Sequence, residues 1–177
     1  MKRLGLLRHA KSDWDDMSLR DFDRGLNARG RKGAALMGEH IRRQGGAWDL
    51  VVASPAERVK RTFEASGLDI PVQFEEQAYL ADSPTLIQLL SACHDSADAV
   101  LLMAHNPGLQ ELALDLVAPE AENDLFNEVL QKYPTAAFAV LELDIDHWAD
   151  LATGCGKLVH FARPRDLDPE LGPQSVG

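Results

Sequence analysis

Cysteine is scarce in this chain, with only Cys93 and Cys155 among 177 residues, and their spacing fits neither a zinc site nor a disulfide framework. Both read as ordinary buried or half-buried thiols. No stretch approaches the roughly 18 consecutive apolar residues of a membrane span. The opening Met1-Lys2-Arg3-Leu4-Gly5-Leu6-Leu7 is too short for a signal-peptide core and lacks a small-residue cleavage site. The expectation is a soluble, cytoplasmic protein. Positive charge is also in deficit. A net charge of -10 argues against broad attraction to nucleic acid or to an anionic membrane. No internal repeat and no second domain are visible, and the 45% hydrophobic content suits one domain with a sizeable core.

What is present is concentrated in three segments. Leu6-Leu7-Arg8-His9-Ala10-Lys11-Ser12 ends an apolar run on an Arg-His pair. Met103-Ala104-His105-Asn106-Pro107-Gly108-Leu109 ends another on a histidine and a helix start, and Ser54-Pro55-Ala56-Glu57-Arg58 repeats the layout with an arginine. Each reads as the carboxyl end of a buried strand, the edge at which open α/β sheets bind ligands. An acidic protein can hold an anion only with a local cationic pocket, because charges farther than about 8 Å across solvent are screened. Two histidines and two arginines at one edge suit a phosphoryl dianion beside a nucleophilic imidazole. The competing use of His9 and His105, metal binding, is weakened by cationic neighbours and by the absence of any His-x-His or His-x-x-x-His pair. No cofactor is expected.

The remaining pattern is repeated βα. Strands are predicted at Arg3–Leu7, Asp49–Ala53, Val72–Phe74 and Ala99–Ala104, with a polar loop over residues 10 to 26. Asn27 caps a helix to about Gln44, with Leu36, Met37, His40 and Ile41 on one stripe and Gly45-Gly46 as the stop. Ser54-Pro55 and Ser83-Pro84 each read as an N-cap followed by proline at the first helical position. Another helix follows Asn106-Pro107 to about Val117, and residues 118 to 134 are acidic and helical in part. Ala136–Leu143 and Lys157–Arg163 read as an antiparallel pair across the turn-like 144–156. The alternation argues for a mostly parallel sheet covered on both faces. Residues 1–163 are expected to form one domain, and the Pro-, Gly- and Asp-rich 164–177 a frayed tail.

The three motifs, in order and with Thr62 after the second, resemble those of the histidine phosphatase superfamily, and most of all its small SixA-type phosphohistidine phosphatases. Arg24-Gly25-Leu26-Asn27-Ala28-Arg29-Gly30 is similar to the segment before the first helix, with Gly25 where proline is common. Ala10 stands where many members have glycine, as it does in the SixA-like branch. The resemblance runs to about Arg163 and implies a phosphoglycerate mutase-like three-layer α/β/α sandwich with one antiparallel strand. It implies His9 as phosphoryl acceptor, Arg8 and Arg58 as the phosphate grip, and His105 as the second phosphate-binding histidine. Members that act on phosphosugars or phosphoglycerate cover the pocket with helical insertions; here only about two dozen residues separate the third and fourth strands. That favours phosphohistidine on a protein. Alternatives are a small-molecule phosphomonoesterase, a phosphoglycerate-mutase-like enzyme, or a non-catalytic phosphate-binding module. An ester leaving group needs a general acid. Glu75, Glu76 and Asp82 follow the third strand, and Glu76 is the nearest match to the acid of larger relatives, set against its reading as an exposed loop carboxylate. Oligomeric state is not legible.

Overall fold

Strand ends that finish in step define this structure, a computed structural model describing residues 1–172. Six strands, β1 (Lys2–Arg8), β2 (Leu50–Ala53), β3 (Val72–Phe74), β4 (Ala99–Ala104), β5 (Phe138–Leu143) and β6 (Gly156–Ala162), form one sheet in the order β3-β2-β4-β1-β5-β6. β1 pairs in parallel with β4, and β2 with β4 and β3, while β5 runs antiparallel to both β1 and β6. The register sets Arg8 opposite Ala104 and Ala53 opposite Met103. The next residues, His9, His105 and Ser54, therefore leave the sheet side by side.

Helices cover both faces, so the central strands are apolar throughout rather than alternating; all six residues of β4 are buried. On one face α1 (Ala28–Arg43) and α2 (Glu57–Ser66) bring Met37, Ile41 and Val59 onto Leu7, Val51, Leu101 and Met103. On the other, α3 (Ser83–Ser91), α4 (Gly108–Asp115) and α5 (Asp124–Gln131) pack Leu86, Leu90, Leu109, Leu112 and Val129 onto Leu4, Leu6, Val100 and Leu102. The result is the expected three-layer α/β/α sandwich. Asn27 caps α1 by accepting from the Gly30 amide at 2.7 Å. The stripe on α1 differs in detail from the expectation. Met37 and Ile41 are buried, Leu36 and His40 half-buried, and Gly38 makes the close approach to α2.

Both serine caps are corrected. α2 starts later than Ser54, with Ala56 at the cap position, and the Ser54 hydroxyl is directed to His105 instead. Asp82, one residue before Ser83, caps α3 by accepting from the Thr85 amide. At α2 no side chain caps the helix, whereas at α3 the Asp82 carboxylate is the better partner for a helix N-terminus.

The C-terminal segment also departs from expectation. Pro164–Leu167 forms a short helix, α6, packed on α1, and Pro169–Leu171 a helical turn against α6. Lys32 Nζ pairs with Asp168 at 3.0 Å, and the Arg29 guanidinium donates to the Gly172 carbonyl. Proline here starts a helical turn, and Arg163 and Asp166 close it reciprocally. Composition alone had pointed to fraying. The rest of the predicted tail, 173–177, lies outside the described residues.

Candidate active site

His9 follows the last residue of β1, and its amide donates to the Ala104 carbonyl at 3.2 Å. Its ring is buried, and Nδ1 lies 2.8 Å from the Ala10 carbonyl. A carbonyl only accepts, so Nδ1 carries the proton and Nε2 the lone pair. Burial, opposed by that hydrogen bond and reinforced by the charges of Arg8 and Arg58, pushes the His9 pKa down to about 4. The imidazole is neutral at pH 7. His105 lies beside it, ring centroids 5.3 Å apart, and burial, followed by the neighbouring His9 and the charge of Arg58, brings its pKa to about 3. Its Nε2 is 2.7 Å from Ser54 Oγ, while its buried Nδ1 has no partner among the described residues.

Arg8 reaches back to donate to the Tyr133 carbonyl at 3.0 Å, leaving its buried Nε unpaired among the described residues. Burial and then the charge of Arg58 lower its pKa. Arg58, on the first turn of α2, is 5% exposed and fixed from an unexpected direction. Its two terminal nitrogens donate to the Asp21 carbonyl at 2.9 Å and to Asp21 Oδ2 at 3.0 Å. Thr62, one turn along α2, accepts from the Ala10 amide at 2.8 Å and donates to the Arg58 carbonyl at 2.7 Å. That pair of bonds ties α2 to the residue after His9. Two guanidinium groups and two neutral imidazoles thus surround one spot, with orphaned polar atoms of the kind a ligand oxygen satisfies.

All four residues predicted from the motifs converge. The remaining candidate does not: Glu76 is exposed on a helical turn, Glu76–Ala78, with no hydrogen bond or ion pair to any of the four. Of the neighbouring carboxylates, Asp82 is occupied in capping α3 and Glu75 accepts from Gln73. The carboxylate that does reach the site is Asp21, from the polar loop, held by Arg58 and by the Tyr79 hydroxyl. Tyr79 in turn packs edge-on against His105, centroids 5.4 Å apart. Sequence reasoning missed Asp21, Tyr79 and Ser54. Asp21 is one of several acids in its loop and carries no distinguishing signal, whereas Ser54 stood in a motif and was assigned to the wrong partner. Among the described residues, no group of three or more His, Cys, Asp or Glu side chains is placed to hold a metal ion.

The sequence pattern of the histidine phosphatase superfamily, branch 1, matches residues 4–82. An uncharacterized protein of Mycobacterium tuberculosis is 35% identical over 160 residues, spanning 90% of this chain and 100% of that one. The chain belongs to the histidine phosphatase superfamily. Solved structures agree with this membership. A candidate phosphohistidine phosphatase SixA from Nakamurella multipartitia matches with a TM-score of 0.82 at 27% identity, covering 92% of this chain and 96% of that one. A second candidate SixA, from Agrobacterium tumefaciens, gives 0.76 at 29% identity, covering 92% and 99%. Superfamily membership and the SixA matches support a phosphatase. No helix among the described residues is long and apolar enough to cross a membrane.

Proposed function

We propose that the protein is a metal-independent phosphatase that removes the phosphoryl group from phosphohistidine on another protein, through a phosphohistidine intermediate at His9. The observation that carries this reading is the fixed tautomer of a buried, neutral His9 between Arg8, Arg58 and His105. His9 Nε2 attacks phosphorus, the P–N bond to the substrate imidazole breaks, and the arginines neutralise charge on the equatorial oxygens. Water then attacks the enzyme phosphohistidine, phosphate departs, and His9 is neutral again.

The substrate half of the reading rests on the leaving group. An alkoxide needs a proton donor, whereas an imidazole protonated on its far nitrogen leaves unaided. Asp21, the one carboxylate bonded to a core residue of the site among the described residues, is a poor donor. Desolvation works to raise the Asp21 pKa, but the hydrogen bonds from Tyr79 and Arg58 and the charge of Arg58 outweigh it and hold the group ionised. The short segment between β3 and β4 carries only the Glu76–Ala78 turn and α3, which leaves the pocket approachable by a protein surface.

Incubation with a phosphohistidine-bearing protein and a panel of phosphoesters tests both halves. Phosphohistidine is expected to turn over much faster than an alkyl phosphate, and the trapped wild-type intermediate to be acid-labile and base-stable. His9→Ala is expected to lose both turnover and labelling while keeping its fold. Full activity in His9→Ala would sink the catalytic assignment, and equal rates on alkyl phosphates would sink the substrate assignment.

A further inference from the structure

The β1 end has a second cationic side. A cavity of about 270 Å³ opens on the β5 side of Arg8, away from β4 and β2, whose ends lead to His105 and to Arg58 on α2. Its lining includes six cations, Arg8, Lys11, Arg29, Lys132, Arg163 and Arg165, and no Asp or Glu. These are six of the chain's 18 Lys and Arg residues, in a chain where 28 acids prevail. Among the described residues only Arg163 of the six pairs with a carboxylate, that of Asp166. Packing like charges around a cleft opposes folding, and the cleft walls focus the resulting field inward. Arg8, Arg29 and Arg163 also have structural partners in Tyr133, Gly172 and Asp166, but among the described residues Lys11, Lys132 and Arg165 have none.

The walls are shaped for something small. Gly33 contributes no side chain, and a Cβ there would sit 3.9 Å from both Ala136 Cβ and Pro164 Cγ, so a larger residue would fill the space. The remaining lining mixes short residues, Ala10, Thr135 and Ala136, with the apolar Pro134, Pro164 and Leu171, so the cations stand around a partly apolar floor. Guanidinium forks and ammonium groups in this number suit phosphate oxygens.

We propose that this cavity is a second anion site, which takes a phosphate-bearing group of two or more negative charges and is joined to the His9 pocket through Arg8. Such a group arrives either as a free ion or as a further phosphoryl group on a bound substrate.

Isothermal titration with inorganic pyrophosphate at low ionic strength reads the site without requiring turnover, so its outcome is separate from the substrate reading above. Arg58→Ala/His105→Ala, which disables the catalytic grip, is expected to retain one pyrophosphate per chain, with affinity falling as salt rises. Lys132→Ala/Arg165→Ala changes two exposed side chains and is expected to weaken that binding about tenfold or more. Gly33→Leu is expected to abolish it, with thermal melting confirming the fold. Pyrophosphate binding by Lys132→Ala/Arg165→Ala equal to that of wild type, or none by the folded Arg58→Ala/His105→Ala variant, overturns the proposal. Rates on a bisphosphate and a monophosphate separate the two sources. A loss in Lys132→Ala/Arg165→Ala confined to the bisphosphate assigns the cavity to substrate, and equal rates with altered pyrophosphate binding assign it to a free ion.

Discussion

Arg8 and Arg58 are held against each other's charge, an arrangement that suits the dianion of the proposed reaction. Each guanidinium is pinned to a carbonyl, Arg8 to Tyr133 and Arg58 to Asp21, so in that reaction neither would have to reorganise as charge develops on the phosphoryl oxygens. Arg8→Ala and Arg58→Ala are each expected to cost about 2–4 kcal/mol of transition-state stabilisation. Steady-state kinetics should show this as a fall in kcat/KM of about a hundredfold or more. Arg58→Lys should not restore the loss, because a single ammonium cannot serve the Asp21 clasp and the phosphoryl group together. Glu76 makes the contrasting case. Exposed and without a contact to the four core residues, Glu76→Gln is expected to leave phosphohistidine hydrolysis within about tenfold, since acid catalysis contributes only where a leaving group needs a proton. A large loss on both phosphohistidine and a phosphoester would bring Glu76 back as the acid.

At the scale of elements, the contact between α1 and α2 decides whether Arg58 is in place. A Cβ at Gly38 would lie 2.0 Å from the Ser66 carbonyl oxygen, a backbone atom that cannot swing aside. Gly38→Ala is therefore expected to destabilise the protein by about 3 kcal/mol or more despite its gain in helix propensity, and a thermal melt would register the loss. Much of this architecture was legible in the chain. β3 and β4 match their predicted bounds, and the motif residues His9, Arg58 and His105 lie where strand ends in register must put them. Local chemistry with two claimants was less legible. Ser54 and Ser83 each precede a proline and so suit a cap, and only the folded structure reveals that the Ser54 hydroxyl serves His105 and that Asp82 caps α3. Asp21 was invisible for a different reason. Its importance comes from Arg58 and Tyr79, residues 37 and 58 positions away, and no local pattern encodes that meeting.

For the molecule as a whole, buried histidines couple the site to stability. His9 and His105 have folded-state pKa values of about 4 and about 3, against an ordinary value near 6.5. Burial also lowers His40 and His160, whose Nε2 atoms lie 2.8 Å apart. As pH falls below about 6.5, the unfolded chain takes up protons that the folded one refuses, so it gains relative to the native state. The stabilisation from neutral imidazoles is complete above about pH 6.5 and is lost as pH falls toward 4, each site contributing at most about 1.4 kcal/mol per pH unit. Urea midpoints at pH 7, 5.5 and 4.5 should decline in that order, with NMR placing the His9 midpoint near 4. A flat profile would mean that these imidazoles titrate normally. The central place of β1 has a further consequence, during synthesis. β1, which leads into His9, is synthesised before the other five strands, yet its two neighbours are residues 99–104 and 138–143. Through most of translation its hydrogen-bonding edges are open and its apolar faces bare, a state prone to edge-to-edge association. The sheet around His9 is incomplete until β4 and β5 emerge, and the long sequence separations place its folding among the slower, non-local topologies.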